Sequence, residues 1–218
     1  MPSPTTSDDR PRMHGLRAPR PILASEDEER LTGRQKEILG QLEELSVAGE
    51  LFALTLADLA ERLNCSLRTL YGLAPSKDEL VLMIIDRRLH RIGRRAMASI
   101  EPGMSALQSL RAYLHAANNA VGQTSELFSR ALVALPGAGR LCSSHENYVV
   151  MVTERLLEQA VAEGAVGTVD TAACALVLGG LGRLFVQPEV MPLLSAEPKA
   201  TADAVADLLF AGLETTRD

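Results

Sequence analysis

From Thr32 onward, apolar residues recur at three- and four-residue steps. Ile38, Leu42 and Leu45, with Leu39 beside them, mark one face of a first helix that Gly49 closes. A connector over 50–54 follows. Thr55 then precedes Leu56, Leu59, Ala60 and Leu63, and Asp58 stands three residues after Thr55, the spacing of a capping box at the start of a short second helix. Asn64-Cys65-Ser66 interrupts the pattern, because Asn tolerates the left-handed conformation that ends a helix and Ser66 can cap the next one. The third helix, over 67–73, has only two turns and is closed by Pro75. Ser76 with Glu79 repeats the capping box for a long fourth helix through Leu80, Ile84 and Ile85 to about residue 98.

Past Pro102-Gly103 the same period predicts helices at about 104–121, 124–135, 140–163, 169–186 and 198–215. Gly122, Pro136-Gly137, the glycines of 164–167 and the 188–198 loop separate them. The run Tyr148-Val149-Val150-Met151-Val152 is β-prone by composition, but Tyr148, Val152 and Leu156 share one helical stripe, so it is assigned to a helix. No repeat and no strand pattern stands out, and the fold class expected is all-α. Residues 1–30 differ: Pro2, Pro4, Pro11, Pro19 and Pro21 lie among Ser, Thr and charges without apolar period, which predicts a disordered tail.

Composition changes this picture little. Of 218 residues, 46% are hydrophobic and 23% charged, which excludes a wholly disordered chain. The longest weakly charged apolar stretch, 171–186, contains Arg183 and falls short of a membrane span. The N-terminus carries acids and arginines where an export signal needs an apolar run. Cys65, Cys142 and Cys174 are odd in number and lack metal-type spacing, which suggests a reduced, cytoplasmic protein. Aromatics are 3% with no Trp, so any small-molecule pocket must be walled by aliphatic side chains. The net charge of −6 is uneven: −1 over 1–30, +1 over 31–96 and −6 over 97–218. The acidity lies in the C-terminal half, so overall charge does not exclude a nucleic-acid partner for the middle segment.

Three short helices with a tight turn before the third make a helix-turn-helix, and its chemistry suits DNA. Thr55 and Ser66 cap their helices near phosphate level. Leu70 is the natural core residue of the third helix, which leaves Leu67, Arg68, Thr69, Tyr71 and Gly72 to face outward in some combination. Arg68 can pair with guanine O6 and N7, Thr69 can contact a base methyl or phosphate, and Tyr71 can bond a phosphate. Lys77, in the first turn of the fourth helix, adds a further phosphate contact. Further along that helix, Arg87, Arg91 and Arg95 share one face. They form either a basic ridge or a solvated face paired with acids such as Asp86 and Glu101.

At these residues the chain resembles the DNA-binding domain of TetR-family transcriptional regulators. That family typically shows a Thr, then Asp-Ile-Ala, a Gly-Val-Ser turn, Thr-Leu-Tyr, and Phe-Pro-Ser-Lys-Glu-Glu-Leu. Here Asp58-Leu59-Ala60, Ser66, Thr69-Leu70-Tyr71 and Pro75-Ser76-Lys77 stand at matching spacing within residues 33–85. Asn64 replaces the turn Gly, Arg68 a small residue, Gly72 and Leu73 polar or aromatic residues, and Ala74 the Phe. The resemblance implies a DNA-binding head over 31–85 and a ligand-binding, dimerising bundle over 86–218, with the fourth helix in a structural role between them. It further implies a homodimer on a palindromic double-stranded operator and release by a small inducer.

The C-terminal half supports this independently only in outline. The helix at 169–186 is apolar nearly all round and carries Gly179, Gly180 and Gly182, so it must be buried and can approach a neighbour closely. With Ala204, Val205, Leu208 and Leu209 it makes either a four-helix dimer interface or part of a monomer core. Polar groups set in apolar helices, His115, Asn118, Asn119, Arg130, His145, Asn147 and Tyr148, are candidates to orient a ligand. Cys142 and His145 lie one turn apart, but no further ligands accompany them, and neither a metal nor a cofactor is expected. No nucleophile elbow, phosphate-binding glycine loop or zinc motif is present, so an enzyme is not expected. The expected function is a ligand-responsive transcriptional regulator acting as a repressor. The alternative is a constitutive DNA-binding regulator or activator whose bundle binds partner proteins.

Overall fold

The computed structural model describes residue 13 and residues 15–119 and 126–215. Among the described residues the fold is all-α, as the apolar period predicts, with eleven helices and no strand. In chain order these are α1 (Ser25–Arg30), α2 (Gly33–Val47), α3 (Glu50–Ala53), α4 (Leu56–Arg62), α5 (Leu67–Tyr71) and α6 (Lys77–Ala98). There follow α7 (Ala106–Ala117), α8 (Glu126–Ala134), α9 (Ala138–Ala162), α10 (Thr171–Phe185) and α11 (Pro198–Thr215). A 3-10 turn, Met191–Leu193, lies in the loop before α11.

Local chemistry sets the helix ends. The hydroxyls of Thr32, Thr55 and Ser105 each accept a hydrogen bond from the N–H three residues on (Gln35, Asp58 and Gln108), and the side chain at that position bonds back to the cap. Ser66 and Ser76 cap α5 and α6 by the first half of the same arrangement. Gly49 stands at φ 79°, the left-handed region that ends α2 and turns the chain into α3. The connector expected over 50–54 is therefore partly a helical turn, which buries Leu51 completely.

The helices enclose two cores. The first gathers Ile38, Leu39 and Leu42 of α2, Leu51, Leu59, Leu70, and Leu80, Ile84 and Ile85 of α6, with Phe128 of α8 closing one side. The second gathers Leu110 and Tyr113 of α7, Val152, Leu156 and Leu157 of α9, Leu178 and Leu181 of α10, and Phe210 of α11. Among the described helices α6 alone has fully packed residues in both, through its N-terminal half in the first and through Ala96 in the second, while α9 adds only the partly buried Leu141 to the first.

Where α6 passes from one core to the other, Asp86 is fully buried. Its Oδ2 accepts from the Ile22 N–H at 2.8 Å, and its Oδ1 lies 2.9 Å from Nε2 of His145 on α9. Burial opposes the charge on Asp86, yet these bonds and the neighbouring imidazoles outweigh it and hold the carboxyl below its ordinary pKa.

Of the expected disordered tail, residues 1–12 and 14 lie outside the described residues, and the stretch up to Arg30 contains ordered structure. Residues 25–30 form α1, Glu28 pairs with Arg87 at 2.5 Å, Leu23 and Leu31 pack on the first core, and Met13 and Leu16 pack on the second. α1 buries no residue of its own. Its anchors are scattered single residues and one backbone hydrogen bond, none of which produces a period in the sequence.

The glycines of α10 are not equivalent. A Cβ placed on Gly179 would meet Val150 of α9 at 2.9 Å from its Cγ2 and 3.2 Å from its Cα, so the two helices touch nearly backbone to backbone there. A Cβ on Gly180 would meet nothing within 4 Å. Gly179→Ala is expected to destabilise the fold by about 1–3 kcal/mol through overpacking. Gly180→Ala is expected to be neutral or to stabilise by up to about 1 kcal/mol through helix propensity. Urea unfolding of the two variants measures the difference, and equal effects would contradict the close α9–α10 contact.

Candidate nucleic-acid interface

The turn between α4 and α5 is built by backbone geometry that Asn64 permits. Asn64 is the one non-glycine residue at positive φ among the described residues, at 48°. Around it the Cys65 N–H donates to Ala60 O at 2.9 Å and the Asn64 N–H to Glu61 O at 3.0 Å, the paired bonds of a Schellman ending. Arg34 of α2 donates to Leu63 O at 2.6 Å and to Asn64 O at 3.2 Å, so the last carbonyls of α4 are satisfied from a neighbouring helix. This role for Arg34 left no trace in the sequence, since the residue lies about thirty positions upstream.

α5 is anchored by one residue. Leu70 is fully buried, while Leu67 is 42% and Tyr71 53% exposed, and Arg68 and Gly72 are exposed with them. Leu67 and Tyr71 stand four residues apart on one helical face, with Arg68 beside it. Apolar and aromatic surface is thus left open on a five-residue helix beside an exposed arginine. Thr69 is half-buried, and its hydroxyl lies 2.9 Å from the Ser66 hydroxyl while its N–H donates to Ser66 Oγ at 3.1 Å. Thr69 therefore serves the cap as well as the outer face.

Two further expected contact residues are engaged within the protein. The Thr55 hydroxyl donates to Asp58 Oδ2 at 2.7 Å, and this bond, ahead of the Thr55 N–H and the nearby Lys77, holds the exposed Asp58 carboxyl below its ordinary pKa. Lys77 is half-buried, and its Nζ donates to Phe52 O at 2.7 Å, tying the start of α6 to α3. The ammonium keeps two further donors.

Arg87 and Arg91 of the α6 run are paired, though not with the acids expected, while Arg95 is exposed. Arg87 bonds Glu28 at 2.5 Å and Glu43 at 3.0 Å, and Arg91 also pairs with Glu43. Glu43 is only 5% exposed on α2, an acid that its place in an otherwise apolar helix face did not mark out. Arg88 is buried with its guanidinium 5.3 Å from the centre of the Phe128 ring. Asp86, expected as an arginine partner, instead faces two histidines.

The polar residues expected to orient a ligand do not converge on one place. His115 and Asn118 of the α7 end both reach Asp203 of α11, at 3.3 Å and 2.8 Å, and His115 also lies 3.4 Å from Asp207. His145 belongs to the Asp86 cluster. Tyr148 is half-buried against the second core, where burial raises its pKa, and its charge adds to the burial that pushes the Tyr113 hydroxyl higher still. Asn119 and Arg130 are exposed. Sequence reasoning passed over Ser109 of α7 and Thr153 of α9, whose hydroxyls are fully buried without a hydrogen-bond partner. Small hydroxyl residues carry no periodic signal, so nothing pointed to them.

No protein-family model and no curated protein matches the chain. Solved structures do. A TetR/AcrR-family transcriptional regulator from Thermobifida fusca is 19% identical with a TM-score of 0.64, covering 83% of this chain and 98% of its own. A tetR-family regulatory protein from Rhodococcus RHA1 is 20% identical with a TM-score of 0.59, covering 84% and 98%. SmeT in complex with triclosan is 16% identical with a TM-score of 0.61, covering 83% and 91%. The chain thus has the fold of TetR-family transcriptional regulators.

The Asp203 network carries a pH signature. Burial opposes the charge on Asp203, but hydrogen bonds from Lys199 and Asn118 and the nearby His115 outweigh it and lower its pKa. A carboxyl lowered on folding contributes stability above its unfolded pKa, near 3.9, and loses that contribution as pH falls through its folded value. The stability advantage of the native chain over Asp203→Asn is therefore expected to shrink between about pH 5 and pH 3. Thermal melts of the two chains across that range test it, and a constant gap would refute it.

Proposed function

We propose that this chain is a TetR-family transcriptional regulator that binds a two-fold symmetric DNA operator as a homodimer. α5 enters the major groove, and a small, mostly apolar molecule in the bundle shifts the dimer out of the DNA-bound state. The observation that carries this reading is the face of α5: Leu67, Arg68 and Tyr71 are open around a single buried anchor, Leu70. The fold supports it, and the ligand that SmeT holds in a structure of the same fold supports a small-molecule site in the bundle.

In this reading Arg68 reads guanine edges, Tyr71 bonds a phosphate, and Leu67 makes apolar contact with a thymine methyl. Thr55, Ser66, Thr69, Gly72 and Lys77 form the edge of the contact and fix its register. Ser109 and Thr153 supply what the exposed polar candidates do not, buried hydroxyls free to meet a polar group of a ligand within aliphatic walls. Repression with release by the ligand is the sign of regulation proposed. No helix among the described residues is long and apolar enough to cross a membrane.

The dimer surface follows from the two faces of α10. Ala175, Leu178 and Leu181 are buried inward, whereas Leu176, Val177 and Leu184 are exposed, and Leu208 and Leu209 of α11 are exposed with them. The inward side meets the expectation of a monomer core. The outward side is the one proposed to pair with a second copy.

Two outcomes test the proposal. In fluorescence anisotropy on a duplex from upstream of the protein's own gene, specific binding is expected over scrambled DNA, with affinity falling steeply as salt rises. Arg68→Ala is expected to lose about 1–3 kcal/mol of discrimination at its contacted base pair, while Tyr71→Phe weakens specific and scrambled complexes alike. Binding of the native chain and Arg68→Ala with equal specificity would remove Arg68 from the reading face.

In light scattering after gel filtration, the native chain is expected at twice its chain mass. The Leu176→Glu, Leu208→Glu double variant is expected as a folded monomer with reduced DNA affinity. A double variant that remains dimeric would place the interface elsewhere.

A further inference from the structure

The cluster at which α6 leaves the first core holds donor chemistry that DNA binding does not use. Asp86 and His90 are one turn apart on α6, so their side chains leave the same face, and His145 comes from α9 opposite them. Asp86 Oδ1 lies 2.9 Å from His145 Nε2 and 3.4 Å from His90 Nε2. One donor atom from each of the three residues falls within 4.8 Å of the other two. The two imidazoles sit edge to face with centres 4.7 Å apart. The Asp86, His145 and His90 side chains are only 1%, 12% and 14% exposed.

Hydrogen bonding alone accounts for part of this arrangement. His145 satisfies one oxygen of Asp86 and the Ile22 N–H satisfies the other. His90 Nε2, by contrast, is buried and makes no hydrogen bond, although it points at the same carboxylate. A buried imidazole nitrogen without a partner is unfavourable unless something else occupies its lone pair or proton.

We propose that Asp86, His90 and His145 form a binding site for one divalent transition-metal ion of the zinc class. Two imidazoles and a carboxylate are the donor set of that class, whereas calcium and magnesium require oxygen ligands throughout. Bond lengths near 2.0–2.2 Å around a tetrahedral ion place donors about 3.4 Å apart. The His90–Asp86 separation of 3.4 Å already has this spacing, the His145–Asp86 pair at 2.9 Å must open slightly, and the two imidazole donors lie within 4.8 Å of each other. Three protein ligands leave one position for water or a small anion. The Ile22 N–H on Asp86 Oδ2 supplies the outer bond that orients a ligating carboxylate and leaves Oδ1 for the ion. Bound there, the ion joins α6, α9 and the N-terminal segment at one point.

The site is independent of the DNA-binding reading and is tested without DNA. The full chain, stripped with chelator, is titrated with Co²⁺ while its visible d–d absorption is recorded, then back-titrated with Zn²⁺. One Co²⁺ per chain is expected, displaced by Zn²⁺, with Zn²⁺ raising the unfolding temperature through mass action. His90→Gln and His145→Gln, each shown by circular dichroism to be folded without metal, are expected to weaken Co²⁺ binding by roughly tenfold or more and to lose the thermal shift. Cys142→Ser, which removes the thiol one turn from His145, is expected to bind as the native chain does. Absence of a stoichiometric band in the native chain overturns the proposal, as does an undiminished band in both histidine variants or loss of the band in Cys142→Ser.

Discussion

One helix belongs to two cores, and most of the molecule is arranged around that constraint. α6 has 22 residues and so spans about 33 Å. Its first half buries Leu80, Val81, Met83, Ile84 and Ile85 among α2–α5, and its far end buries Ala96 among α7 and α9–α11. A helix held in packed apolar side chains at both ends moves as a rod, because neither core deforms smoothly. The orientation of the α4–α5 head is therefore tied to the bundle. The polar residues at the crossing make the tie specific, since Asp86 must keep its partners from α9 and from the N-terminal segment to remain buried as an anion.

Most helix boundaries were legible because they depend on chemistry within four residues. Thr55, Ser66 and Ser76 announce their caps, and Asn64 announces the left-handed ending of α4. Leu70 was identifiable as the α5 anchor by period alone, and the residues around it were identifiable as outward by elimination. What escaped notice acts across long separations. Arg34 closes a turn thirty residues away, Glu43 collects two arginines from α6, and His145 meets Asp86 across 59 residues. The Asp86–His90 spacing was visible in the chain, but two donors on a helix carry little information until a third arrives from another helix. The helix over 25–30 escaped notice for the same reason, as the anchors of this segment are single residues bonded to distant partners.

Charge placement bears on how the head meets a nucleic acid. Three of the five arginines of α6 are consumed, Arg87 and Arg91 by Glu43 and Glu28 and Arg88 by burial against Phe128, while Arg94 and Arg95 stay exposed towards the far end of the helix. Lys77 spends one donor on the Phe52 carbonyl. A head with few unpaired cations draws less affinity from counterion release, so a larger share of any binding energy must come from direct contacts of α5. Arg68, which stands where the resembling family has a small residue, fits that division of labour.

The two ends of the molecule are joined by a short series of contacts. The outward apolar side of α10 and α11 is the proposed dimer surface, and the inward side of α10 meets α9 so closely that Gly179 lies against the Val150 backbone. α9 in turn carries His145 to Asp86 on α6, and α6 carries the head. A shift of α9 relative to α10 has no slack to absorb it at Gly179, whereas at His145 it meets hydrogen bonds that can break and re-form. The packing contact transmits motion and the polar cluster is where it can be switched, which makes Asp86, His90 and His145 the point at which occupancy by an ion would set the stiffness of the link between bundle and head.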